Sequence, residues 1–433
     1  MKQRTVNIVT LGCSKNLVDS EKLMRQIEAG GYKIVYDSPE LAADTVIINT
    51  CGFINDAKEE SIDTILRFVK ALTKGDIRKL YVTGCLSERY ADVLRAEIPE
   101  VNRYFGVNSM DQILQELGTP TDRKLLQERK ITGPGHFAYL KISEGCNRTC
   151  AFCAIPAIRG KYISRPVEEL VEEAENLARD GVRELILIAQ DLTYYGLDRY
   201  GIRMLPDLIR ELLKIESFRW IRLHYLYPAN FPTELISLMK ENERICRYLD
   251  IPVQHISDRI LKMMKRSHYG PETRELLATL RKELPEAAIR TTLIAGHPGE
   301  TRKEFKMLKD FVGEFRFDRL GVFPYSHEDG TYSYFNYKDT ISEKTKNERV
   351  SELMQLQQTI SSELNSLKIN KIIKVLIDRR EGDLFVGRTE HDSPEVDQEV
   401  LISAVHDLKA GNFYNILVNR TTEFDLFGVP VQE

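Results

Sequence analysis

The stretch EGCNRTCAFCAIPAIRG, residues 144–160, decides how this chain is read. It sets Cys146, Cys150 and Cys153 close together, and no further cysteine follows until Cys246. A structural zinc site takes four ligands in a closed tetrahedron, commonly as paired C-x2-C units. Three thiolates on one short loop suit instead a [4Fe-4S] cube with one iron left open, where a substrate or cofactor binds. Phe152, beside the last cysteine, would shield such a cluster from water. A zinc knuckle completed by His136 or Cys246 is the alternative that spacing leaves open.

The loop follows the strand-like run FAYLKIS (137–143) and precedes the helical pattern PVEELVEEAENLARDG (166–181). Five more strand-like runs come after it: ELILIAQD, WIRLHYLYP, YLDIPVQH, IRTTLIAGHPG and RLGVFPYS, with helical segments such as SDRILKMMKR between them. About six βα units then span residues 136–335, fewer than the eight of a closed TIM barrel, which predicts a partial (β/α)6 barrel. Active groups belong at the C-terminal ends of its strands. Glu144, Gln190, Asp191, His224, Gln254, His255 and Ser326 are the polar residues expected there.

Upstream, residues 1–118 repeat one pattern three times, an apolar β-branched run ending in a turn and a cysteine. These are VNIVTLGC with Cys13, TVIINTCG with Cys51 and KLYVTGC with Cys85. Amphipathic helical patterns separate them, so a doubly wound parallel α/β domain is expected. Ligands bind such sheets beyond the carboxyl ends of the strands, where all three cysteines fall, so a second three-ligand site is predicted. A lone cysteine after a strand more often packs in the core, and Cys246 is read that way. Residues 119–135 lose the periodicity and are read as a linker.

Downstream, a polar helix leads into short alternating strands over 368–433, a small β-barrel of OB type. Residues 371–433 hold seven Lys and Arg against twelve Asp and Glu. That balance repels a phosphate backbone and suits a basic protein partner, so RNA binding by this acidic tail is not expected. Asp392, Glu395, Asp397 and Glu399 are read as its solvated charge run. Across all 433 residues, 42% hydrophobic and 29% charged with a net charge of -4, the composition is that of a globular chain without a global basic field. Neither a membrane span nor a signal-length apolar stretch stands out, so a cytoplasmic location is expected, where seven cysteines point to metal or catalytic use rather than disulfides.

The Cys-x3-Cys-x2-Cys loop with its aromatic before the last cysteine, opening a six-fold βα repeat, resembles the radical S-adenosylmethionine enzymes. The three-cysteine domain before it and the small barrel after it, here of TRAM type, resemble the methylthiotransferase branch along essentially the whole chain. LGCSKNLVDSE at Cys13, HYLYP at His224 and PVQH at Gln254 are similar to the subclass that modifies an aspartate of ribosomal protein S-twelve. The subclass that modifies tRNA adenosine would typically show GCQMN and PVQS and is the nearest rival. A non-catalytic zinc-stabilised binding protein is the rival of another class. One position departs from the family pattern, His297 standing where Phe is more usual.

The resemblance implies that Cys146, Cys150 and Cys153 hold a [4Fe-4S] cluster whose open iron binds S-adenosylmethionine and yields a 5'-deoxyadenosyl radical. It implies that Cys13, Cys51 and Cys85 hold an auxiliary [4Fe-4S] cluster carrying the sulfur to be transferred, and that a second S-adenosylmethionine supplies the hydrogen abstraction. Phe152, Gln190, Asp191, Arg290 and Gly296 are the implied cofactor contacts. The implied partners are ribosomal protein S-twelve or the small ribosomal subunit, and an electron donor such as flavodoxin. No side-chain general base is assigned.

Overall fold

The computed structural model describes residues 4–38 and 43–431. Its first sheet has five parallel strands, β1 (Thr5–Thr10), β2 (Lys33–Tyr36), β3 (Thr45–Thr50), β4 (Lys79–Gly84) and β5 (Arg103–Tyr104), in the order β2-β1-β3-β4-β5. Strand alternation sends Val46 and Ile48 of β3 to one face, against Ile65 and Phe68 of α2 (Asn55–Lys74). Ile47 turns to the other face, in one cluster with Met24 and Ile27 of α1 (Ser14–Ala29) and Ile113 and Leu114 of α4 (Met110–Leu117). Both faces are covered, as a parallel sheet requires. The periodicity predicts β1, β3 and β4 and misses β2 and β5. The first of these is four residues with no buried position and the second only two, too short to show a period.

Six further parallel strands form the partial barrel. They are β6 (Phe137–Lys141), then β9 (Glu184–Ile188), β10 (Trp220–Leu223), β11 (Tyr248–Asp250), β12 (Ala288–Ala295) and β13 (Arg319–Pro324), after the two-residue pair β7 (Ser143–Glu144) and β8 (Ile163–Ser164) that brackets the cysteine loop. They make two three-stranded sheets joined by a bridge between Ile221 and Ile245. Leu185 and Leu187 face outward onto Leu170, Ala174 and Leu177 of the helix 167–179. Tyr139, Ile186 and Ile188 belong to a separate cluster with Val18, so α1 of the first sheet packs beside β6 on the opposite face. The segment 119–135 is tied down between the two units: Arg129 is buried, 3.7 Å from Glu21 and 3.4 Å from Glu173.

The tail is a closed barrel of β14 (Ile372–Glu381), β15 (Leu384–Arg388), β16 (Val400–Ser403), β17 (Phe413–Thr421) and β18 (Leu426–Pro430). It docks beneath the starting ends of the six strands. His136 meets Asp378 at 2.8 Å, Arg388 meets Glu184 at 2.7 Å, Tyr248 donates to Asp397 at 2.7 Å, and Arg319 pairs with Asp392. Two expectations change here. Asp392 and Asp397 are not a solvated run: they are 0% and 2% exposed and serve as counter-ions for Arg319 and Arg290. Burying a charge is tolerated when it is paired, and the barrel's basic strand ends supply the pairs. His136 and Cys246 also lie at this floor, Cys246 packed with Trp220 and Tyr248, so neither completes the Cys146 loop as a zinc ligand.

Candidate active site

The order of the first sheet reverses between β1 and β3, the switch point at which open α/β sheets form their ligand crevice. Cys13 and Cys51 follow those two strands, and Cys85 follows β4 as the first residue of α3 (Cys85–Glu97). Two glycines let the three turns close on one another. A methyl on Gly12 would lie 2.7 Å from the Cys51 Cβ, and one on Gly52 would lie 2.6 Å from the Leu86 Cα and 3.0 Å from the Cys85 carbonyl carbon. All seven cysteines are free thiols. Among the described residues no three His, Cys, Asp or Glu side chains converge as ligands of a single metal ion.

Environment separates the three thiols. Burial raises Cys85 to about 11 and raises Cys51. Cys13 keeps solvent access, yet the crevice around its thiol is poorly hydrated, which by itself would raise it. Lys15, Arg159 and the amides of Asn16 and Lys15 outweigh that penalty and lower it, as expected for a cysteine at a helix N-terminus.

The second trio is held by its own loop and by the barrel. The Ala151 amide donates to the Met264 carbonyl at 2.8 Å, and the Ser333 amide donates to Ala151 at 2.7 Å. The Arg148 amide reaches the Cys146 Sγ at 3.4 Å, and Arg266 reaches the Cys150 Sγ at 3.5 Å. Burial raises Cys146 to about 11 and Cys153 to about 12.

One arginine joins the two sets. Arg159 ends α5 (Ile155–Arg159), directly after the cysteine loop, and its buried guanidinium donates to Asn16 at 2.6 Å and to Glu144 at 2.8 Å. Asn16 in turn donates to the carbonyls of Leu11 at 2.9 Å and Thr50 at 3.1 Å, just before Cys13 and Cys51, and lies 3.8 Å from the Cys85 Sγ. Burial alone would raise Glu144, but Lys141 and Arg159 hold it down at about 2. A second clamp pairs Lys58 with Glu328 at 2.6 Å and Arg89 with Glu328 at 3.0 Å. Sequence reading missed both arginines. Arg159 stands inside the opening stretch, but its partner is 143 residues away.

The five implied cofactor contacts diverge. Gln190 and Phe152 are half-buried, and Gln190 has no side-chain partner among the described residues. Asp191 is occupied, accepting from Arg148 at 2.8 Å and from the Thr193 hydroxyl at 2.6 Å. Gly296 follows β12 as expected, with φ at 82° and its amide donating to Glu300 at 3.0 Å. Arg290 is a correction: it is the third residue of β12, at the floor, 3.5 Å from Asp250 and 3.3 Å from Asp397. His224 follows β10 yet hydrogen-bonds Ser393 of the tail at 3.0 Å, and burial drives its pKa well below the ordinary value. His297 is fully buried edge-on between Tyr325 and Tyr337, and burial lowers it to about 4. Its Nδ1 lies 3.1 Å from the Pro298 carbonyl oxygen, a polar contact that a Phe would not make.

Residues 140–312 match the radical SAM superfamily, residues 5–106 match uncharacterized protein family UPF0004, and residues 369–431 match the TRAM domain. The chain is 52% identical to the ribosomal protein uS12 methylthiotransferase RimO of Phocaeicola vulgatus, over 99% of both chains. It is also 52% identical to the protein of that name from Cytophaga hutchinsonii, over 99% of this chain and 98% of that one. Among solved structures, the radical S-adenosylmethionine methyltransferase TsrM of Kitasatospora setae, with cobalamin and a [4Fe-4S] cluster bound, superposes with a TM-score of 0.53 at 14% identity, over 74% of this chain and 72% of that one. That likeness shows the fold alone. Three cysteines at a switch point, three more at a barrel mouth, and full-length identity above half of all positions converge on one assignment: the chain belongs to the RimO family of radical SAM methylthiotransferases.

Proposed function

We propose that this enzyme adds a methylthio group to the β-carbon of an aspartate in ribosomal protein uS12, using two [4Fe-4S] clusters and two molecules of S-adenosylmethionine. The observation that carries the reading is the presence of two separate three-cysteine sets, on two units of the fold, joined through Arg159 and Asn16. Cys146, Cys150 and Cys153 would hold one cluster and Cys13, Cys51 and Cys85 the other. When bound, these groups with S-adenosylmethionine supply one-electron cleavage of a sulfonium and the sulfur to be transferred.

The chain's own residues supply position and dryness. Arg266 is buried and offers its guanidinium to the Cys150 sulfur, a polar contact of the kind that tunes a cluster. Gln190, half-buried at the C-terminal end of β9, and Phe152 are the residues we assign to cofactor contact. Asp191 positions Arg148, whose guanidinium stacks 3.8 Å from the centre of the Tyr227 ring. The lower end of the barrel is capped by the paired charges of the tail. We read residues 1–118, 136–367 and 368–433 as the three domains that divide this work. The test is mass analysis of uS12 from cells with and without the gene: the added methylthio mass must disappear when the gene is deleted and return when it is restored.

A further inference from the structure

Lys15 lies two residues after Cys13, on the first turn of α1, and is 6% exposed. Its ammonium sits 3.6 Å from the centre of the Tyr225 ring. Tyr225 is the second residue beyond β10, at the reactive end of the barrel. One side chain thus runs from the crevice of the first sheet to the mouth of the barrel. Among the described residues no carboxylate pairs with it or accepts a hydrogen bond from it. The nearby acids are engaged elsewhere: Asp19 and Glu144 are shared by Lys141 and Arg159, Glu21 faces Arg129, and Asp250 faces Arg290.

A buried cation without a counter-ion is costly, and the face of one aromatic ring returns only part of that cost. The buried cations Arg129, Arg159 and Lys141 of this junction are all paired with acids. Lys15 and Arg159 both act on the thiol of Cys13, and of the two only Arg159 also has carboxylate partners, Glu144 and Asp19. Beyond that thiol, what remains open to Lys15 is an anion arriving from outside, through the mouth where Tyr225 lies.

We propose that Lys15 is the recognition group for the carboxylate of the residue to be modified. This rests on the functional reading above and deepens it. The acidic side chain of the target enters the barrel mouth, its carboxylate pairs with the Lys15 ammonium over Tyr225, and its carbon chain is thereby fixed between the two cysteine sets. A target base of RNA, which carries no such anionic group on its ring, gains nothing from this cation.

The test uses the reconstituted holoenzyme and two synthetic uS12 peptides, one with the target aspartate and one with asparagine in its place. Binding is read by fluorescence anisotropy, and modification by mass. A charge-assisted hydrogen bond predicts about 10-fold to 100-fold tighter binding of the aspartate peptide by the unaltered enzyme. Lys15→Met, which keeps length and packing over Tyr225, should bind the two peptides equally, and Lys15→Arg should restore most of the preference. If Lys15→Met loses iron, Lys15→Gln takes its place in the same comparison. A preference that survives in the neutral variants overturns the assignment while leaving the functional reading intact, as does an unaltered enzyme that modifies uS12 but binds both peptides equally. If the unaltered enzyme neither binds nor modifies either peptide, the functional reading falls, and the assignment of Lys15 to that carboxylate falls with it.

Discussion

At the scale of single residues, the two cysteine trios make separable predictions. Cys150→Ala should lower iron by about four atoms per chain and abolish cleavage of S-adenosylmethionine, because two thiolates on that loop cannot retain a cube. Iron analysis with chromatography of 5'-deoxyadenosine checks both, and full cleavage in the variant would refute the ligand assignment. Cys51→Ala should also cost about four irons but leave the spectrum of the other cluster in place, while methylthio transfer to uS12 is lost. Paramagnetic resonance of the reduced protein tells the two variants apart. The placement of the six cysteines was legible in the sequence because chemistry and punctuation coincide: each of Cys13, Cys51 and Cys85 closes an apolar run. Lys15 and Arg159 were not, since a cation's role depends on which acids are absent or present around it, and those come from distant segments.

The element that matters most is α5, one turn long. It carries Arg159 from the cysteine loop to Asn16 on α1, so a five-residue helix sets how one loop faces the other. Replacing Arg159 by Met would leave Glu144 to Lys141 alone and take from the buried Asn16 Oδ1 its guanidinium donor, a loss of about 1 to 3 kcal/mol. The expected result is a clear fall in Tm, together with a change in the reduction potential of the N-terminal cluster, since Arg159 acts on the thiols of Cys13 and Cys85. A variant with unchanged Tm and potential would show that the bridge is incidental. Elements of this kind are hard to read in advance. The barrel strands announce themselves by apolar runs, whereas α5 contains a proline and spans too few residues for any period. The same shortness hid β2 and β5.

At the scale of the whole molecule, the tail barrel is a structural floor before it is anything else. Asp392 is buried. Burial alone would raise its carboxyl, but Arg319 and Lys368 hold it down at about 2, below the usual 3.8. A carboxyl depressed in the folded state adds stability that is complete above the unfolded value and is lost as pH falls through the folded one, here from about pH 4 toward pH 2. The loss is about 2 kcal/mol for a shift of this size, and Asp392→Asn should remove that part of the acid sensitivity of Tm. Charge reversal at Asp392 or Asp397 should unseat the tail rather than slow an encounter, read as exposure of the 368–371 segment to proteolysis. From the sequence the tail's fold was legible and its docking was not: alternating strands show a barrel, but the ion pairs join residues 73 to 242 positions apart. That floor has a consequence for traffic. With Arg222 and Glu184 buried and paired beneath the strands, the middle of the floor offers no way in, which leaves the end of the barrel at the cysteine loop as the entrance. Whatever is consumed inside must be replaced by the route along which the macromolecular target arrives, so a seated target is also a stopper. The use of two cofactor molecules per product proposed above then requires work in shifts, emptying and refilling before the guest settles in the doorway.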